Sequence, residues 1–184
     1  AKLADGTVTR LWIYGSGLTP RAEHDGDGQL RTIYLYPGSA LPSAFIRDGT
    51  TYHVAKPGIG STLLITDENG ADVKRIEYDS FGAVVSDSQP AFDFPFGFAG
   101  GLADPDTGLI RFGVRDYDPD TGRWTAKDPL LFAGVSHLYA YAENDPVNRV
   151  DRNGMAVEQG LDRLRGSMLG RGDSPGNAGA IPAA

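Results

Sequence analysis

A turn-forming dipeptide returns along the first part of this chain at a nearly fixed interval, and that period limits the folds open to it. Asp5-Gly6, Asp27-Gly28, Asp48-Gly49 and Asn69-Gly70 place a glycine at 6, 28, 49 and 70, at spacings of 22, 21 and 21. Self-similarity at one period marks a repeat architecture. In three of the four units a tyrosine follows the glycine by eight residues (Tyr14, Tyr36, Tyr78), closing a stretch of β-branched and aromatic residues; the remaining unit has Pro57 there. Asp-Gly and Asn-Gly suit the centre of a two-residue hairpin turn because both positions need positive φ. Ser61 to Thr66 and Ala71 to Tyr78 therefore read as the two strands of one hairpin around Asp67-Glu68-Asn69-Gly70. Such units cannot bury an apolar face alone and must stack on neighbours, so the strip is expected to continue on its N-terminal side.

Composition agrees with many short strands joined by tight turns: 25 Gly, 12 Pro and 10% aromatic residues in 184. The absence of Cys excludes disulfides, thiol catalysis and thiolate metal sites. A net charge of −7 opposes the phosphate-neutralising surface that nucleic-acid binding demands. No run of about 18 or more apolar residues appears, so no helical membrane span is expected, and no export signal is visible.

The segments Gly70 to Gly82 (GADVKRIEYDSFG) and Gly28 to Tyr36 (GQLRTIYLY) resemble YD repeats, and 98–154 resembles the Rhs-associated core domain. The second likeness is dense. It runs through Thr107-Gly108-Leu109-Ile110-Arg111-Phe112, Arg115-Asp116-Tyr117-Asp118-Pro119-Asp120-Thr121-Gly122-Arg123-Trp124, Lys127-Asp128-Pro129, Leu138-Tyr139-Ala140-Tyr141 and Asn144-Asp145-Pro146-Val147-Asn148. The resemblance implies an all-β fold: an antiparallel β-hairpin strip of a larger shell, a β-rich Rhs core plug, and a short, partly helical or disordered C-terminal tail. The implied division is 1–97 strip, 98–155 core and 156–184 variable tail. Polymorphic toxins and toxin-complex C subunits share this plan, in which the shell encloses a C-terminal cargo that a pair of aspartates in the core cuts free.

Cutting a peptide bond with carboxylates needs two of them close enough to share a proton, one ionised to activate water and one protonated to polarise the carbonyl. By resemblance the pair is Asp128 and Asp151, 23 residues apart, in the turns Asp128-Pro129-Leu130-Leu131 and Asp151-Arg152-Asn153-Gly154. The bond that follows is Met155 to Ala156, with Pro129 and Gly154 positioning the turns. Arg115 matches an arginine that the family places beside the pair, where a guanidinium would orient one carboxylate; its role is electrostatic. Two positions depart from the pattern: Arg152 stands where the family usually has Pro, and Leu131 where Gly is common. Arginine neither fixes φ nor extends the residue before it, and it brings a charge towards the site. Taken singly, Asp128 and Asp151 read as ordinary turn residues favoured for their local hydrogen bonds; the combination lifts them above Asp79-Ser80-Phe81-Gly82 and similar turns.

Other signals are weaker. His24-Asp25-Gly26-Asp27-Gly28 looks superficially like a calcium loop but has Tyr36 where the twelfth-position carboxylate belongs, so a hairpin turn is expected. His24, His53 and His137 are scattered and read as surface or packing residues, and no Gly-x-Ser-x-Gly elbow supports a serine hydrolase. Trp124, Phe132, Tyr139 and Tyr141 are expected to bury in the plug. In the tail, Val157, Leu161, Leu164 and Met168 share a helical face, while the Gly, Ala, Pro and Ser from Gly170 onward, with Arg171-Gly172-Asp173 among them, suggest disorder.

Two functions follow. The first is a self-processing shell segment, a single-turnover intramolecular aspartic protease; the second is a non-catalytic cage or a cell-surface adhesion or carbohydrate-binding segment. Expected partners are its own C-terminal cargo and the N-terminal remainder of the shell, with a secretion apparatus or immunity protein beyond them. No cofactor, metal, nucleic acid or membrane insertion enters this picture, which places the protein outside a bacterial cell or on its surface, delivered by a secretion system.

Overall fold

The structure, a computed structural model, describes residues 1–15, 19–37, 41–129, 137–155 and 158–159. Strands β1 (Lys2–Ala4), β2 (Thr7–Tyr14), β3 (Pro20–Asp25), β4 (Leu30–Leu35), β5 (Ala44–Arg47), β6 (Thr50–Ala55), β7 (Leu64–Thr66), β8 (Asp72–Tyr78) and β9 (Val84–Asp87) form one sheet in sequence order. Each is antiparallel to the next, from the β1/β2 pair through β8/β9. A second antiparallel sheet holds β10 (Leu102–Ala103), β11 (Ile110–Phe112), β12 (Arg115–Asp118) and β13 (Arg123–Trp124), and β14 (Arg149–Val150) pairs with β15 (Glu158–Gln159). The described residues are built on β-strands, as the resemblance implied.

The repeat glycines close two kinds of turn. At Asp5-Gly6 and Asp48-Gly49 both residues have positive φ (49° and 76°; 50° and 80°), the conformation that matches a two-residue hairpin to the twist of its strands. At the other two only the glycine does, at 79° for Gly28 and 82° for Gly70. There the aspartate that opens the turn shapes the loop. Asp25 Oδ1 accepts from the backbone N–H of Asp27 and Gln29, and Asp67 Oδ1 from that of Asn69 and Ala71. Asp79 repeats the pattern with Phe81 and Ala83. These carboxylates stand in for missing ladder bonds.

Alternation then sorts the strip into two faces. Tyr34, Phe45, Val54 and Ile65 line one and are buried beneath Phe94 and Phe96, from the chain that leaves β9 and crosses back over the sheet. Phe94 stacks on Phe45 with centroids 4.9 Å apart, and Phe96 meets Tyr34 edge-on at 5.0 Å. A buried lysine would be costly alone, but Lys74 Nζ donates to Asp87 Oδ2 at 2.8 Å, Gln89 O at 2.9 Å and Phe92 O at 3.0 Å, tying the crossing segment down.

A second core forms where that segment ends. Phe98, Ile110, Phe112, Tyr117, Trp124, Tyr141 and Val150 bury together, with Ile59 and Tyr78 of the strip packed against them. One expectation is corrected here. Trp124 and Tyr141 are buried, but Tyr139 is 38% exposed. Leu138 and Tyr139 lie in a turn before the short 3-10 segment Tyr141–Asn144, so strand alternation does not carry Tyr139 inward, and it contributes its carbonyl, which accepts from Trp124 N at 3.0 Å. Glu158–Gln159 pairs as a short strand, Gln159 opposite Arg149 and Glu158 opposite Val150; Val157, Leu161, Leu164 and Met168, on which the expected helix rests, lie outside the described residues. Phe132, Ala156, Val157 and 160–184 lie outside the described residues.

Burial pushes the phenols of Tyr34, Tyr78, Tyr117 and Tyr141 well above their ordinary value of 10.0. The unfolded chain loses these protons near the ordinary value while the fold holds them, so their contribution to stability is present in full below pH 10.0 and declines as pH rises beyond it. Denaturant midpoints measured across that range, with phenolate absorbance as a second probe, should fall together.

Candidate active site

The site is built on a close approach of two backbones. The β11–β12 hairpin turns at Gly113-Val114, with Phe112 paired to Arg115, and the loop after β14 lies directly against it. A Cβ on Gly113 (φ 53°) would fall 2.4 Å from Asn153 O, and one on Gly154 (φ 68°) 2.4 Å from Phe112 O. Side chains cannot occupy that space, so glycine on both sides permits the contact. Val114 N donates to Asn153 O at 3.2 Å and holds it.

This contact delivers Asp151 to Arg115. The Arg115 side chain, only 4% exposed, lies with its guanidinium 4.1 Å from the centroid of the Trp124 ring. Its Nη2 is 2.9 Å from Asp151 Oδ2 and 2.9 Å from Asp128 Oδ2, while Nε donates to Gly154 O at 2.6 Å. Two carboxylate oxygens sharing one nitrogen stand no further apart than twice that distance. Asp151 is 1% exposed and Asp128 is also buried. The three residues come from three places: the start of β12, the segment after β13, and the turn after β14. Asp128 is held there by its own N–H, which donates to Leu138 O at 3.1 Å.

Asp151 also reaches the residue at the expected cut. The N–H of Met155 is shared between Asp151 Oδ1 at 3.0 Å and Asn153 Oδ1 at 2.9 Å. Pro129 follows Asp128 and is exposed; a proline there disfavours the helical region for the residue before it. Leu131 and Ala156 lie outside the described residues. Arg152 donates from Nη1 to Ala99 O at 2.9 Å and from Nη2 to Ile59 O at 2.7 Å.

Sequence reasoning named Asp128, Asp151, Arg115, Met155 and Gly154, and the fold brings these together. It missed Gly113, Asn153 and the place of Trp124 beneath the guanidinium. Gly113, two residues before Arg115, was legible as a hairpin turn, and Asn153 as a turn residue whose side chain binds Met155 N two positions on; the place of Trp124 depends on contacts across the core. Burial, then the nearby Tyr117 and Asp151, pushes the phenol of Tyr141 up. Chemically the cluster can hold two carboxylates side by side with little water and a cation to offset their repulsion.

Replacing Gly154 tests the backbone contact. Gly154→Ala puts an L-residue in the left-handed region, at a cost of about 1–2 kcal/mol, and drives its methyl into Phe112 O. The variant should lose at least that stability in denaturant titrations, and the Met155 amide should exchange faster with solvent.

A hairpin strip closed by an aromatic core, with a buried arginine bridging two acids, defines a shell segment of the YD-repeat/Rhs class. More narrowly, the chain belongs to the Teneurin YD-shell family, whose profile matches residues 4–147. It is 40% identical to Teneurin-m of Drosophila melanogaster over 125 residues, which are 64% of this chain and 5% of that protein. It is 35% identical to Teneurin-3 of Danio rerio over 128 residues, 66% of this chain and again 5% of the relative. Among solved structures, TcdB2-TccC3 without its hypervariable C-terminal region has a similar fold, with a TM-score of 0.58 and 22% identity over 73% of this chain and 7% of that one. The Photorhabdus luminescens Tc holotoxin pore is similar at a TM-score of 0.53 and 24% identity, over 79% and 6% of the respective chains. The chain thus spans a small part of every relative named.

Proposed function

We propose that this chain is the closing segment of a cargo-enclosing shell and that it cuts its own backbone between Met155 and Ala156. In this reading 1–97 are shell wall, 98–155 the self-processing core and 156–184 the variable tail that the cut releases. The observation that carries it is the shared Arg115 nitrogen, 2.9 Å from both Asp128 and Asp151. The hydrogen bond from Met155 N–H to Asp151 adds support, because it ties one acid to the residue being cut.

The chemistry needs one proton on the pair. The ionised aspartate takes a proton from water as its oxygen bonds to the Met155 carbonyl carbon, and the protonated one gives its proton to the carbonyl oxygen. Collapse of that intermediate breaks the C–N bond, the Ala156 nitrogen takes a proton, and the pair again holds one. Arg115 offsets the charge of the ionised acid and orients both, and its bond to Gly154 O steadies the backbone one residue before Met155. The partners in this reading are the chain's own C-terminal cargo and the rest of the shell, with a secretion apparatus or immunity protein beyond them, and the location is outside a bacterial cell or on its surface.

A second reading keeps the shell and drops the cut. A buried arginine joined to two acids from separate loops also serves as a cross-link, and the match to the teneurins favours a structural or surface role.

Asp128→Asn and Asp151→Asn separate the two. Each leaves Arg115 one carboxylate, so no buried charge is stranded. Intact-mass measurement over time on the full chain should find the species ending at Met155 in the unsubstituted protein, and formation slowed by roughly 10²–10⁴-fold in each variant. An uncut parent chain, or variants that process like the parent, leaves the structural reading standing.

A further inference from the structure

Arg152 belongs to the turn that carries Asp151, yet its side chain reaches other parts of the fold. Its two terminal nitrogens bind two carbonyls far away in sequence: Ile59 O in the loop between β6 and β7, and Ala99 O in the segment that enters the core. Those two acceptors are themselves fastened together. Ala99 N donates to Ser61 Oγ at 2.9 Å, and Thr62 N donates to Gly97 O at 3.2 Å. The joint is tight: a Cβ on Gly60 would lie 2.6 Å from Leu41 Cδ1 and 3.2 Å from Arg152 Nη1. Ala99 sits in the left-handed region at φ 47°, which a non-glycine residue holds only when its surroundings over-determine it. Arg152 is flanked by Asp151, bound to Arg115, and by Asn153, bound to Met155 N.

We propose that Arg152 is a positioning residue through which the hairpin strip governs self-cleavage: its fork on Ile59 O and Ala99 O holds the Asp151 turn in register only when the β6–β7 loop is seated. The inference rests on the self-cleavage reading and adds a regulator to it. A guanidinium suits the task because its rigid fork can bind two carbonyls at once, which a lysine's single ammonium does less well. When the loop lifts, the turn loses both anchors and Asp151 drifts from Arg115 and Met155. Displacements of about 1 Å in a catalytic geometry lower rates by as much as 10²-fold. The cut therefore waits for a seated strip, and a partly folded chain keeps its cargo attached.

The test follows the fragment ending at Met155 by intact mass in the full chain carrying Arg152→Ala, Arg152→Lys, Ser61→Ala, or Ser61→Ala with Arg152→Ala. Hydrogen exchange of β6 to β8 in each variant checks that the strip remains folded. The expected results are cleavage slowed on the order of tenfold to a hundredfold by Arg152→Ala, partial recovery with Arg152→Lys, and a slower rate with Ser61→Ala that adds nothing once Arg152 is gone. That non-additivity is the signature of one shared device, which a general loss of packing would not produce. Cleavage at the parent rate in Arg152→Ala, or fully additive effects, overturns the clamp while Asp128→Asn still blocks the cut. An uncut parent chain, or processing untouched by Asp128→Asn and Asp151→Asn, overturns the self-cleavage reading and the clamp with it.

Discussion

The buried guanidinium of Arg115 is the interaction around which the second half of the structure is organised. It draws two carboxylates, a backbone carbonyl and the face of Trp124 into one point, and those groups come from separate segments of the chain. An arginine taken from water loses a large hydration energy unless its charge is matched and its donors are used. Here two carboxylates face the charge and both Nε and Nη2 have acceptors, so a change in any of these segments is felt by the others. A fixed placement of the two acids is what the proposed cut would require of them.

The chain passes from the strip to the second core along the segment that follows β9. Its phenylalanines alternate between two tasks: Phe94 and Phe96 roof the strip, and Phe98 begins the core. Lys74 fastens the same segment by its backbone at Phe92 and Gln89. On the sheet's other face, Ile13, Ala22, Ile33 and Ile46 stand opposite one another in successive strands, and Ile13 and Ile33 are exposed. Both faces thus carry apolar residues, while the buried aromatics Tyr34 and Phe45 lie on the face turned toward the crossing segment.

Much of this was readable in the chain, because turn chemistry and strand alternation are local. Asp5-Gly6 and Asp48-Gly49 demand positive φ, and Asp25, Asp67 and Asp79 cap their own loops within four residues. Where alternation stops, so does legibility. Tyr139 sits in the same motif as Tyr141 but in a turn, and it faces solvent. In the sequence Arg152 is a stray charge near an acid pair. The fold gives it two carbonyls more than fifty residues away.

The sequence by itself determined the hairpin period, the all-β class, the turns, and which acids and arginine to consider together, since each of these follows from residues near one another or from a dense motif. Only the tertiary structure decided that Asp128 and Asp151 meet on one nitrogen, that Gly113 and Gly154 let two backbones touch, and that Arg152 reaches the strip. Those facts depend on how loops separated by tens of residues pack across a core, and no local preference encodes that distance.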